Sequence, residues 1–221
     1  MEGAHNNWIG SFRYARSQRL QARGVTMLEM AVVVAIAAVL AAVAAPSFSQ
    51  FLKNSQIKGA AESVENGLRL ARAEAVRHNT LVRFQLTTSV LNDCALSTAN
   101  ANWVISVDDP SGLCASTGAK DAYPLSDTTH NPAPRILQKF SSAEGAQSAS
   151  VVADQTTVVF NGIGKITPTP SSAINFNFSN PQAGNCIAQS GTVRCMRVVV
   201  SAAGQVRMCD PSFASTDPRG C

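Results

Sequence analysis

Between Val25 and Ala45 the chain reads VTMLEMAVVVAIAAVLAAVAA, 21 residues with one charge, Glu29. As an α-helix this run is about 31 Å long at 1.5 Å per residue, enough to cross the hydrocarbon core of a bilayer. Arg13, Arg16, Arg19 and Arg23 precede it, and the next basic residue after it is Lys53. That asymmetry predicts a cytoplasmic N-terminus and an exported C-terminal bulk. Three readings fit the run. One is a secretory signal peptide cut at its Ala-rich end before Pro46. The second is a plain single-span anchor, which leaves Glu29 unexplained, because an unpaired carboxylate in an apolar span costs about 3 kcal/mol near its centre. The third is a span whose carboxylate meets a partner on another molecule.

Charge and cysteine content bear on what lies beyond. The formal net charge is +4, but four arginines against Glu2 in residues 1–24 supply most of it. The other 197 residues carry 14 basic against 13 acidic side chains, so any polyanion binding needs a local patch rather than overall charge. Six cysteines, at 94, 114, 186, 195, 209 and 221, all follow the apolar run. None forms a C-x-x-C pair and no histidine is spaced to join them, so no metal site and no cofactor is expected. An even count on the exported side predicts disulfides. Fifteen pairings are formally open to six cysteines. The reading taken is sequential, Cys94–Cys114, Cys186–Cys195 and Cys209–Cys221, each closing a short loop; free buried thiols are the alternative.

After Pro46 the pattern turns amphipathic, with Ile57, Ala60, Ala61, Val64, Leu68, Ala71 and Ala75 at helical spacing. One helix is therefore expected from about Thr26 to about His78, apolar all round in its first half and striped in its second. From Leu81 the texture changes to short runs between turns. Strands are expected at Leu81–Thr87, Trp103–Val107, Arg135–Phe140, Thr157–Phe160, Ala173–Phe178, Arg194–Ser201 and Gln205–Cys209. Residues 88–102, 108–134 and 141–155 read as loops. The fold class is α+β, a long N-terminal helix packed on antiparallel sheets.

The segment Gly24-Val25-Thr26-Met27-Leu28-Glu29 resembles the processing site of the type IV pilin-like superfamily. The resemblance implies that a prepilin peptidase cuts between Gly24 and Val25 and that the new amine is methylated. Glu29 becomes the fifth mature residue, where its carboxylate pairs with the N-terminal amine of a neighbouring subunit. Two charges that are each costly when buried alone compensate one another on assembly. Pro46 falls where that superfamily commonly carries a helix-kinking proline; the plainer reading is that it marks the helix exit from the membrane. The superfamily usually begins its mature chain with Phe, where this chain has Val25. Val64–Leu81, Phe160–Gly164 and the tail from Gly204 to Cys221 resemble the GspH/FimT/FimU branch. The implied organisation is a leader at 1–24, a membrane and assembly helix at 25–52, and a periplasmic domain at 53–221. The implied setting is the bacterial inner membrane, spanned once, with incorporation into a pilus or secretion pseudopilus. The implied partners are other pilins or pseudopilins.

The sequence carries no phosphate loop, no G-x-S-x-G and no H-E-x-x-H, and no enzymatic activity is expected. Asp108-Asp109 reads as a solvated turn, Trp103 as core, and Gly162 and Gly164 as turn residues. Two functions from different classes remain. The first is structural, a minor subunit that begins or tips a filament. The second is DNA binding, since some FimT-type proteins use a C-terminal Gly-Arg-x-Arg motif. Here the matching text is Gly204-Gln205-Val206-Arg207, with Gln205 at the first arginine position and Arg207 at the second; Arg194, Arg197 and Arg219 are candidate neighbours.

Overall fold

The computed structural model describes residues 24–221. The leader arginines Arg13, Arg16, Arg19 and Arg23 lie outside the described residues, as does the side chain of Pro46. The residues form two compact units, one ending at Ala44 and one spanning Ala45–Cys221.

Helix α1 runs Met27–His78 without interruption through position 46. Thr26 caps it: its Oγ1 accepts the Glu29 backbone N–H at 3.2 Å, and its carbonyl accepts that of Met30 at 3.1 Å. A threonine followed three residues later by glutamate is a capping-box pattern, and it places a carboxylate in the first turn, where the helix dipole favours it. The helix ends at Arg77 and His78, and Asn79 turns the chain with a positive φ of 47°.

In the larger unit, the stripe from Ile57 to Ala75 is buried against two four-stranded antiparallel sheets. The strands are β1 (Val82–Thr87), β2 (Asn102–Ser106), β3 (Ile136–Phe140), β4 (Ser150–Ala153), β5 (Thr157–Phe160), β6 (Ile174–Ser179), β7 (Met196–Val200) and β8 (Val206–Cys209). The first sheet has the order β3-β2-β1-β5 and the second β4-β6-β7-β8. Alternation sends Phe84, Leu86, Trp103 and Phe160 of the first sheet, and Phe176, Phe178, Val198 and Val200 of the second, into one shared core. Phe84 meets Phe176 edge to face at 6.1 Å, joining the two sheets. The outer face of the first sheet is covered as well. Cys94 and Cys114 pack there on Val104 and Ile136, so the long loops around β2 form a second small core.

Three expectations need correction. Residues 141–155 are not all loop, since β4 occupies Ser150–Ala153 as an edge strand. Its adjacent valines, one buried and one exposed, hide a period of two within four residues. The strand expected at Arg194–Ser201 is Met196–Val200. Arg194 leaves the sheet because its backbone N–H bonds the Asn54 side chain on α1. Asp108 is not a solvated turn residue: it accepts the Arg135 backbone N–H at 3.0 Å, Nε at 2.7 Å and Nη2 at 2.6 Å.

Candidate functional site

Two regions carry the candidate residues. The first is the start of α1. Gly24 and Val25 precede the cap, and both are exposed. Glu29 is exposed, in a turn flanked by exposed Met27, Leu28 and Met30. From Val25 to Leu52 the large apolar side chains described are all exposed, whereas from Ile57 onward a stripe is fully buried. One helix thus has a half with no buried large apolar side chain among the described residues and a half that belongs to a core. The unit ending at Ala44 holds no buried residue among those described. Such a surface needs lipid or other helices around it. Thr26 is the residue that reading the sequence for charge alone passes over, although the Thr-x-x-Glu spacing signals it.

The second region is the β7–β8 hairpin and the tail behind it. Its three-residue loop ends in Gly204, with φ 79°. A Cβ there would stand 2.0 Å from the Gly164 carbonyl oxygen, so only glycine lets the two turns touch. Arg72 Nε of α1 donates to the same carbonyl at 3.0 Å. Arg207 lies on β8 opposite Val199, and Arg197 lies two residues along β7 opposite Cys209. Directly opposed residues share a face, so both arginines stand on the side away from the helix. Arg197 Nε donates to Asn177 at 2.7 Å, and Arg207 Nη1 to the Gly220 carbonyl at 3.3 Å. Neither has a carboxylate partner among the described residues.

Arg194 and Arg219 gather elsewhere. Their guanidinium carbons lie 5.5 Å and 4.0 Å from the Phe213 ring centroid. Arg194 pairs with Asp210 at 2.9 Å and Arg219 with Asp217 at 2.9 Å. The side-chain bond from Arg219 holds the Asp217 carboxyl down at about 2. The four arginines therefore form two pairs: 197 and 207 free of acids on a sheet face, 194 and 219 neutralised around an aromatic ring. The cysteines are joined as Cys94–Cys114, Cys186–Cys195 and Cys209–Cys221. The last closes the tail that carries Asp217 and Arg219. No group of three metal-ligating side chains occurs among the described residues.

The family described as type II transport protein GspH matches residues 60–204, from the striped half of α1 to the Gly204 turn. The chain belongs to the GspH family. This GspH-family chain is not an enzyme. No curated protein matches it. Among solved structures, two crystal forms of the type IV minor pilin FimU of Pseudomonas aeruginosa (strain PAO1) are similar at 16% identity. The form in space group P65 has a TM-score of 0.44 and covers 72% of this chain and 98% of that one. The form in P21 has a TM-score of 0.47 and covers 76% and 98%. The family assignment rests on the GspH match. The tail from Gln205 to Cys221 lies beyond the matched residues.

Proposed function

We propose that this GspH-family protein is a minor pilin or pseudopilin, held by one N-terminal helix in the bacterial inner membrane with its C-terminal domain in the periplasm. In this reading it helps to begin or tip a type IV pilus or type II secretion pseudopilus. The observation that carries the proposal is the division of α1 into an apolar half with exposed side chains and a half buried in the family domain. A helix of that kind is stored in lipid and later packs among its like. The prepilin peptidase cuts after Gly24, the amine of Val25 is methylated, and Glu29 sets register by meeting the amine of a neighbour. Pro46 adjusts the helix for packing. The organisation follows as leader 1–24, assembly helix 25–52 and periplasmic domain 53–221.

Two glutamate variants separate register from capping. Glu29→Gln keeps a capping-box side chain but loses the charge, whereas Glu29→Ala loses both. Both variants are expected to insert in the membrane, and both to fail in filament incorporation. Normal incorporation of Glu29→Gln would remove the charge pair from the mechanism. Gly24→Ser is expected to leave the leader attached; N-terminal sequencing that still begins at Val25 contradicts the assigned cut.

A second reading, DNA binding, draws on the acid-free Arg197 and Arg207 sharing one sheet face. Two phosphate contacts give weak binding with a shallow salt dependence. A gel shift of the detergent-solubilised chain at low salt tests it. Loss of the shift in Arg207→Ala supports this face, and no shift in the unaltered chain removes the reading.

A further inference from the structure

The sheet edges of the larger unit are not protected alike. In an antiparallel ladder, alternate residues turn their N–H and C=O toward the neighbour and the others turn them away. The outward groups of β3, β4 and β5 each receive a backbone bond from a passing loop: Ile136 O from Ala119 N, Ala153 N to Thr98 O, and Val159 O from Thr167 N. Strand β8 receives none along Val206–Cys209 among the described residues. The bond from Ser201 N to Gln205 O places Gln205, Arg207 and Cys209 in the bonded register with β7. Val206 and Met208 therefore turn their backbone groups outward. The same parity holds one step on, where Asp210 N donates to Arg219 O at 2.8 Å and Gly220 bridges Asp210 in parallel. The tail thus makes a single bridge at that end of the edge and stops short of Met208. The one group lying on the open stretch is a side chain: Arg69 Nη2 reaches Val206 O at a long 3.4 Å.

The space beside this stretch has a definite chemistry. A groove of about 670 Å³ runs between Val206 and α1, lined by Arg69, Arg72, Val76 and Arg77. Glu65 and Glu74, which pair two of these arginines, are tucked away while the guanidinium groups face solvent; the exposed Asp121 also reaches Arg77, at 3.3 Å. Arg69 is 59% exposed against 12% for Glu65, and Arg77 is 52% exposed against 16% for Glu74. Among the described residues Arg72 bonds only a carbonyl. Beyond Met208 a second groove is lined by Phe51, Met196, Met208 and Phe213 together with Lys58 and Arg194.

We infer that the open edge of β8 takes an added strand from an acidic, extended segment of a partner protein, bonded to Val206 and Met208 with its carboxylates on Arg69, Arg72 and Arg77. Main-chain bonds to an edge supply affinity and alternate side chains supply selectivity. An incoming N–H displaces Arg69 from Val206 O and frees its guanidinium for a carboxylate. The arginines select acidic over basic segments, since like charge at this edge repels.

The test uses the detergent-solubilised full chain and two synthetic ten-residue peptides, one alternating Glu with Val and one alternating Lys with Val. The Glu-Val peptide is expected to bind saturably, to weaken at least about tenfold between 50 and 300 mM salt, and to slow amide exchange at Val206 and Met208 about tenfold or more. Met208→Pro removes an N–H that β7 does not use, so it should spare thermal stability and lower affinity by about tenfold. If that variant unfolds, the exchange of the two amides in the unaltered chain decides. Absence of saturable binding, equal binding of the Lys-Val peptide, or unchanged exchange at both amides overturns the inference.

Discussion

At the scale of single residues, Asp108 and Arg135 show how one acid can fasten a loop. Three N–H groups of Arg135 reach one carboxylate, whose pKa falls chiefly through the side-chain hydrogen bonds. A carboxyl held below its ordinary value of 3.8 stabilises the fold above that value, and the contribution fades as pH drops through the lower, folded value. Asp108→Asn keeps the shape and loses the charge. It is expected to cost about 2 kcal/mol at pH 7. Urea unfolding of both proteins should show the gap narrowing below pH 3.8; a constant gap down to pH 2 would mean the charge contributes nothing. Gly67 makes a different point. A Cβ there would lie 2.8 Å from a Phe84 ring carbon and 3.0 Å from Trp103, so glycine lets the helix approach the first sheet. Gly59 has open space around its missing Cβ.

Those two glycines predict opposite outcomes for one element. Alanine is favoured over glycine in a helix interior by about 1 kcal/mol. Gly59→Ala should therefore raise stability by about that amount. Gly67→Ala forces the Phe84 and Trp103 rings apart in a close-packed core and should lower stability by about 1–3 kcal/mol despite the same propensity gain. Parallel thermal melts of the two variants check this, and shifts of the same sign would show that packing on α1 is looser than the ring positions indicate. The helix N-terminus obeys the same local logic. Thr26 holds the Glu29 N–H, so Thr26→Ala should unravel the first turn at a cost of about 1 kcal/mol, read as faster amide exchange from Met27 to Met30.

On the scale of the whole molecule, the disulfides decide which loops share the stability of the sheets. Cys94 and Cys114 are 20 residues apart in sequence, and their bond seals the loop cover over Val104 and Ile136. A closed loop of that length is worth about 3 kcal/mol through the unfolded state. The double variant Cys94→Ser/Cys114→Ser should lose about that much. It should also expose the Val104 amide to exchange well before global unfolding. Exchange at Val104 that only follows global unfolding would make the cover independent of its cross-link.

Some of this architecture is legible in the chain itself. A 21-residue apolar run, then Ile57 to Ala75 at helical spacing, specifies α1, because a helix depends on neighbours three and four residues away. Alternation likewise marks β1, β5 and β6, whose inward residues are large and regular. It fails for β4, where Val151 and Val152 are both apolar and only pairing with β6 tells them apart. It also misleads at Arg194, whose place depends on Asn54, 140 residues earlier. Four arginines in one stretch of tail gave no sign that two would face outward together and two would close on Phe213. That split depends on the register of β7 against β8 and on the path of the tail. Which carboxylate Arg135 finds and which edge stays open are set by distances between segments far apart in sequence. Local periodicity carries no record of those distances, and only the closed core and the paired strands establish them.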